Sequence, residues 1–98
     1  MIEFNENGVP QYPKGHTGRL LVTMAAIDRL GSEATVWTVA NLTGLSKTKI
    51  DFYVAALNYQ FGTNIIKDDR VFTIESWGGV LKRTGVKKAL TKLVSDIA

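Results

Sequence analysis

The chain contains no cysteine, one histidine and only two prolines in 98 residues. Without cysteine there are no disulfides and no thiolate metal ligands, a composition suited to a reducing compartment. The single His16 stands in a Gly-rich turn, and no pair of carboxylates lies near a candidate nucleophile. Acid–base and metal chemistry therefore have little to work with, and a non-enzymatic protein with no metal or organic cofactor is expected. The stretch GHTG has neither the lysine nor the preceding strand of a phosphate-binding loop, and Asp68 and Asp69 lack the further ligands of a calcium loop. No apolar run approaches the roughly 18 residues of a membrane span, and MIEFNENGVPQYPKG has no basic segment leading into an apolar one. A cytoplasmic protein without membrane contact is the expectation.

What is present suits one globular domain: 45% of residues are hydrophobic and 21% charged, enough to bury a core without covalent staples. The net charge of +3 is unevenly spread. Residues 1–75 carry slightly more acid than base, whereas 76–98 hold Lys82, Arg83, Lys87, Lys88 and Lys92 against Asp96 alone. That cluster either attracts phosphate at long range or solvates the outer face of a helix.

Three parts follow along the chain: an arm over 1–16, a core over 17–74 and a basic helical extension over 76–98. The arm contains both prolines and reads as an extended or edge segment closed by a turn. In TGRLLVTMAAIDRL, Leu20, Met24 and Ile27 share a helical stripe, with Thr17 as N-cap and Gly31 ending the helix. A brief strand at Thr35 and Val36 precedes a helix of barely two turns ending near Gly44. Ser46 is placed to cap the next helix by accepting from the N–H of Thr48 or Lys49, and Ile50, Tyr53, Val54, Leu57 and Phe61 mark its core side. IIKDDRVFTI reads as a hairpin turning on Asp68 and Asp69. Beyond it, Gly78, Gly79 and Gly85 divide a short helical piece, Val80–Arg83, from a longer one, Val86–Ile97, with Ser76 or Thr84 as caps.

Ala40, then Gly44 four residues on, Leu45, and Ile50 and Tyr53 in the following helix stand at the spacing of a helix-turn-helix. A small residue allows two helices to cross closely, a glycine takes positive φ at the turn, and the larger side chains hold the pair together. Over about 17–74 the chain resembles a winged helix-turn-helix domain; Thr43 departs from the pattern, which has an apolar residue there. The resemblance implies an α+β, mainly α fold, with a three-helix core, a β-hairpin wing and here a C-terminal helix. It also implies double-stranded DNA as partner, with the helix over 46–61 in the major groove.

On that reading Ser46, Lys47, Thr48 and Lys49 meet bases and phosphates, and Phe52 offers only a thymine-methyl contact. Lys67 and Arg70 on the wing, and Lys82, Arg83, Lys87 and Lys88 beyond it, supply phosphate contacts, with Lys14 and Arg19 as further cations. The expected protein is a small transcriptional regulator, a homodimer joined through the apolar stripe of Val86–Ile97 or, equally, a monomer that packs that stripe onto the first helix. Two features favour another reading, a protein-interaction or replication-accessory module. The wing tip, Lys67–Arg70, is neutral, and the base-reading set is lean, with no arginine, asparagine or glutamine among its first residues. Such a module would use the face of Phe52 and Tyr59, which with Thr48 and Ala55 fall opposite the core stripe of their helix and call for a cover over Tyr59, the arm or the C-terminal helix first.

Overall fold

The first long helix has apolar or small residues on almost every side, which a helix tolerates only when it is enclosed. In the computed structural model, which describes residues 1–97, α1 (Gly18–Leu30) buries Leu20, Val22, Thr23, Met24, Ala25, Ala26 and Ile27. It packs against α2 (Val36–Thr43), α3 (Lys47–Phe61) and α4 (Arg83–Ala89). The hairpin of β1 (Asn64–Asp68) and β2 (Val71–Ser76) closes the remaining end through Ile65 and Phe72, both buried. The described residues thus form an α+β arrangement of four α-helices and one two-stranded antiparallel sheet.

The caps differ in detail from the sequence expectation. Thr17 is already helical in its dihedrals and its hydroxyl caps nothing; instead His16 Nδ1 accepts from the Gly18 N–H at 2.8 Å, its ring stacked on Tyr12. Thr35 and Val36 form no strand. Thr35 opens α2 through a reciprocal capping box with Thr38, an exchange that satisfies two N–H groups at once. Just before it, the Ala34 carbonyl accepts from the Phe72 N–H at 2.7 Å, so the expected strand is reduced to one bond to the hairpin.

The arm is no edge strand of the hairpin's sheet but pairs with itself: Phe4 and Pro10 form an isolated antiparallel bridge, the Gln11 N–H donates to the Glu3 carbonyl at 2.7 Å, and a turn at Pro13–His16 closes the segment. Asn5 Oδ1 accepts from the N–H groups of Asn7 and Val9, curling residues 5–9 into a tight loop, and Val9 and Tyr12 are buried. The arm's amides then meet the end of α2. A helix leaves its last four carbonyls without intrahelical partners; here Ala40 accepts from the Gly44 N–H, Asn41 and Leu42 from Asn7 Nδ2, Leu42 also from Asn5 Nδ2, and Thr43 from Gln11 Nε2. Gly44 has φ 80°, as the turn demands, and a Cβ there would lie 2.5 Å from Gln11 Oε1. Thr43 occupies the expected apolar position without conflict: its hydroxyl donates to Val39 O and accepts from the Leu45 N–H, and the residue is buried.

The C-terminal segment departs most. Val80–Arg83 is no separate helix, and the helix expected over Val86–Ile97 is α4, which starts at Arg83, runs through Gly85 and ends at Ala89. Neither Ser76 nor Thr84 caps it; Lys82 holds that position without a side-chain bond, while Ser76 accepts from the Gly78 N–H. Turn-type bonds carry the chain on to Lys92, beyond which Leu93 is extended and the Val94 N–H donates to the Tyr12 hydroxyl at 2.9 Å. Only one turn of 3-10 helix, Val94–Asp96, follows.

Gly18 tests this packing. Helix propensity alone predicts a gain of about 1 kcal/mol for Gly18→Ala. A Cβ there would lie 2.6 Å from the Tyr12 ring, which is buried and bonded to Val94. Overpacking of this kind costs about 1–3 kcal/mol, so Gly18→Ala is expected to lower the urea midpoint of unfolding; a midpoint above the parent's would show that the ring yields freely.

Candidate nucleic-acid interface

At about 100° per residue, α3 divides into four strips. Ile50, Tyr53, Val54 and Leu57 are buried against the other elements. Opposite them Thr48, Phe52, Ala55 and Tyr59 form a ridge exposed along its whole length. Phe52 is 63% exposed and Tyr59 90%, so no described segment covers Tyr59, contrary to the expectation that the arm or the C-terminal helix would. Lys47, Asp51 and Asn58 lie on the strip facing α2 and the hairpin; Lys49, Ala56 and Gln60 lie on the strip facing the start of α1.

The start of α3 is open. Ser46 occupies the N-cap with extended dihedrals, but its hydroxyl bonds the Thr48 hydroxyl at 2.9 Å and caps no backbone N–H. Ser46, Lys47, Thr48 and Lys49 are all exposed, leaving N–H donors of the first turn for another acceptor.

On the hairpin flank, Lys47 Nζ sits 3.7 Å from the centroid of the Trp37 ring. Trp37 was not singled out in the sequence, although its place one turn before Asn41 and off the Val36, Val39, Ala40 and Thr43 side marks it as outward; it is 62% exposed. A shallow cleft joins it to Lys67 and Arg70. Lys67 is also paired with Asp51 at 2.9 Å, a contact between exposed groups that adds little stability but aligns the hairpin with α3.

The hairpin tip turns on Asp69 and Arg70, not on Asp68 and Asp69. Asp68 still pairs with Val71, and Asp69 and Arg70 have φ 49° and 70°. Two consecutive left-handed residues make the turn that matches strand twist, with glycine favoured at the second place. Arginine in that place carries a backbone cost.

On the other flank Arg19 is fixed by two bonds, Nε to the Tyr12 carbonyl at 2.9 Å and Nη1 to the Tyr53 hydroxyl at 2.8 Å. It lines a cleft of about 370 Å³ with Lys14, Lys49, Phe52 and Gln60.

Lys82, Arg83, Lys87 and Lys88 are exposed but do not join this surface. Arg83 is paired with Asp28 at 3.2 Å. Asp28 and Arg19 are nine residues apart on α1, two and a half turns, so they project from opposite sides. Because Arg19 bonds α3, Arg83 at the start of α4 lies across α1 from it. Of the apolar stripe expected over Val86–Ile97, Val86 and Leu90 are buried in this packing with Ala89 beside them, Leu93 and Ile97 are half-buried, and Val94 is exposed.

Replacing Arg70 by glycine removes the backbone cost at the turn and adds some chain entropy to the unfolded state, for a net gain of a few tenths to about 1 kcal/mol. A rise in the urea midpoint of Arg70→Gly with unchanged slope is the expected result; a fall would show that the arginine side chain contributes more to the fold than its backbone costs. No protein-family model matches this sequence, and no curated protein or solved structure matches it either.

Proposed function

We propose that the chain is a winged helix-turn-helix domain that binds double-stranded DNA as a small transcriptional regulator, with the start of α3 in the major groove and the hairpin as its wing. The observation that carries this reading is the open first turn of α3, whose Ser46–Lys49 stand exposed between the cationic α1 flank and the hairpin. Lysine donates to guanine or phosphate, Thr48 bonds a base edge or meets a thymine methyl, and Phe52 adds an apolar contact one turn on. Arg70 fits the wing's role: it places an exposed cation, unpaired among the described residues, at the hairpin tip, at a positive φ that glycine would adopt at lower backbone cost. The α4 cluster faces away from this surface and contributes long-range attraction at most. If two chains pair on a pseudo-palindromic site, the buried Val86 and Leu90 take no part, and Val94 is the exposed member of the C-terminal apolar stripe.

One observation favours a second reading, a protein-interaction module. Tyr59 lies about 16 Å along α3 from Thr48, three turns past the start that would enter the groove, and it is bare. On that reading a partner protein covers Phe52 and Tyr59, and DNA is not bound.

Mobility shifts with random duplex across a salt series separate the two. The regulator reading expects a steep loss of affinity with salt, and Lys47→Ala and Lys49→Ala each to weaken binding about tenfold and flatten the slope by about one unit. Tyr59→Ala is expected to leave DNA affinity within about twofold, since the residue is beyond the groove. An absence of binding at low salt rejects the DNA reading.

A further inference from the structure

The cleft beside α3 concentrates positive charge next to aromatic rings. Its lining includes three cations, Lys14, Arg19 and Lys49, and two aromatic rings, Phe52 and Tyr53, but no carboxylate. Its volume of about 370 Å³ falls within the range of small-molecule sites. Two donors in it are already oriented. Arg19 spends Nε and one Nη1 hydrogen on Tyr12 and Tyr53, leaving three of the five guanidinium hydrogens. The Tyr53 hydroxyl accepts from Arg19, and its own proton has no acceptor among the described residues. A fixed guanidinium and a phenol proton suit a planar anion such as a carboxylate, and Phe52, exposed on one wall, suits a ring.

The geometry points to this cleft as a binding site for a small aromatic anion, with Arg19 and the Tyr53 hydroxyl holding the charged group, Phe52 stacking on the ring, and Lys14 and Lys49 completing the positive field. Binding stands on the cleft alone. A second consequence rests on the DNA reading above: Lys49 and Phe52 serve both surfaces, so the bound anion competes with DNA and acts as an effector.

Three probes test the site by amide shifts in a 1H–15N correlation spectrum of the full chain: 1-naphthoate, 1-naphthalenemethanol and inorganic phosphate. Naphthoate is expected to saturate at millimolar concentration or below, as suits a ligand of about a dozen heavy atoms. Shifts should centre on Leu20, Ala56 and Gln60, and Phe52→Ala and Lys49→Ala, both at exposed positions, should weaken binding about tenfold or more. Equal binding of the alcohol reduces the cleft to an apolar hollow, and equal binding of phosphate reduces it to a site for charge alone; either overturns the proposal. So does an absence of saturation at about 10 mM naphthoate, or binding that survives both substitutions. Naphthoate added to the mobility shift tests the competition separately: a protein that binds naphthoate and no DNA overturns the DNA reading and leaves the site standing.

Discussion

The four carbonyls at the end of α2 are the point on which the arrangement turns. An eight-residue helix is far below the length at which a helix holds itself together in water. Here its first turn is closed by the Thr35–Thr38 capping box and its last by the Gly44 N–H with the amides of Asn5, Asn7 and Gln11. Neutral hydrogen bonds of this kind contribute about 1 kcal/mol each, but leaving a sheltered carbonyl unpaired costs more. Because Gln11 reaches Thr43 O beside Gly44, the arm fixes the turn from which α3 departs. The direction of the exposed ridge is therefore set by residues 5–11, far from it in sequence.

A second constraint is the enclosure of α1. With α3 on the Arg19 side and α4 on the Asp28 side, the helix acts as a partition through the domain. Arg83, paired with Asp28, is thereby separated by α1 from Arg19 and the cations beside α3. Their charges add at long range, where only the net field matters, but short-range contacts to a single ligand are confined to one side.

The parts legible in the sequence were those governed by local periodicity. The core stripes of α1 and α3, the positive φ at Gly44 and the existence of the hairpin all follow from residue spacing and turn chemistry. What could not be read depends on distant partners. The fold of the arm needs the carbonyls of α2 as acceptors, and the course of the chain after α4 meets the Tyr12 hydroxyl, which takes the Val94 N–H. Likewise Thr17 and Ser46 sit at the ends of their helices without capping them, since His16 and Thr48 supply competing partners. Of the candidate site residues, Ser46 to Lys49, Phe52, Lys67 and Arg70 come together around one helix. Lys82, Arg83, Lys87 and Lys88 do not, because the face on which a cluster lies is a property of tertiary packing that composition does not record.

The two flanks of α3 are not equivalent, and this bears on how the ridge would meet a duplex. On the hairpin side Lys67 is paired with Asp51, and Asp68 and Asp69 stand next to Arg70, so positive and negative charges nearly cancel. On the α1 side Lys14, Arg19 and Lys49 line a cleft without a carboxylate. Phosphate neutralisation dominates affinity for duplex DNA, so a strand gains more on the α1 side than along the hairpin. The hairpin is then held in place mainly to orient: the Asp51–Lys67 pair aligns it with α3, and Arg70 is its one unpaired cation among the described residues. The same imbalance makes the α1 side the one place beside the ridge where a small anion meets an uncompensated positive field.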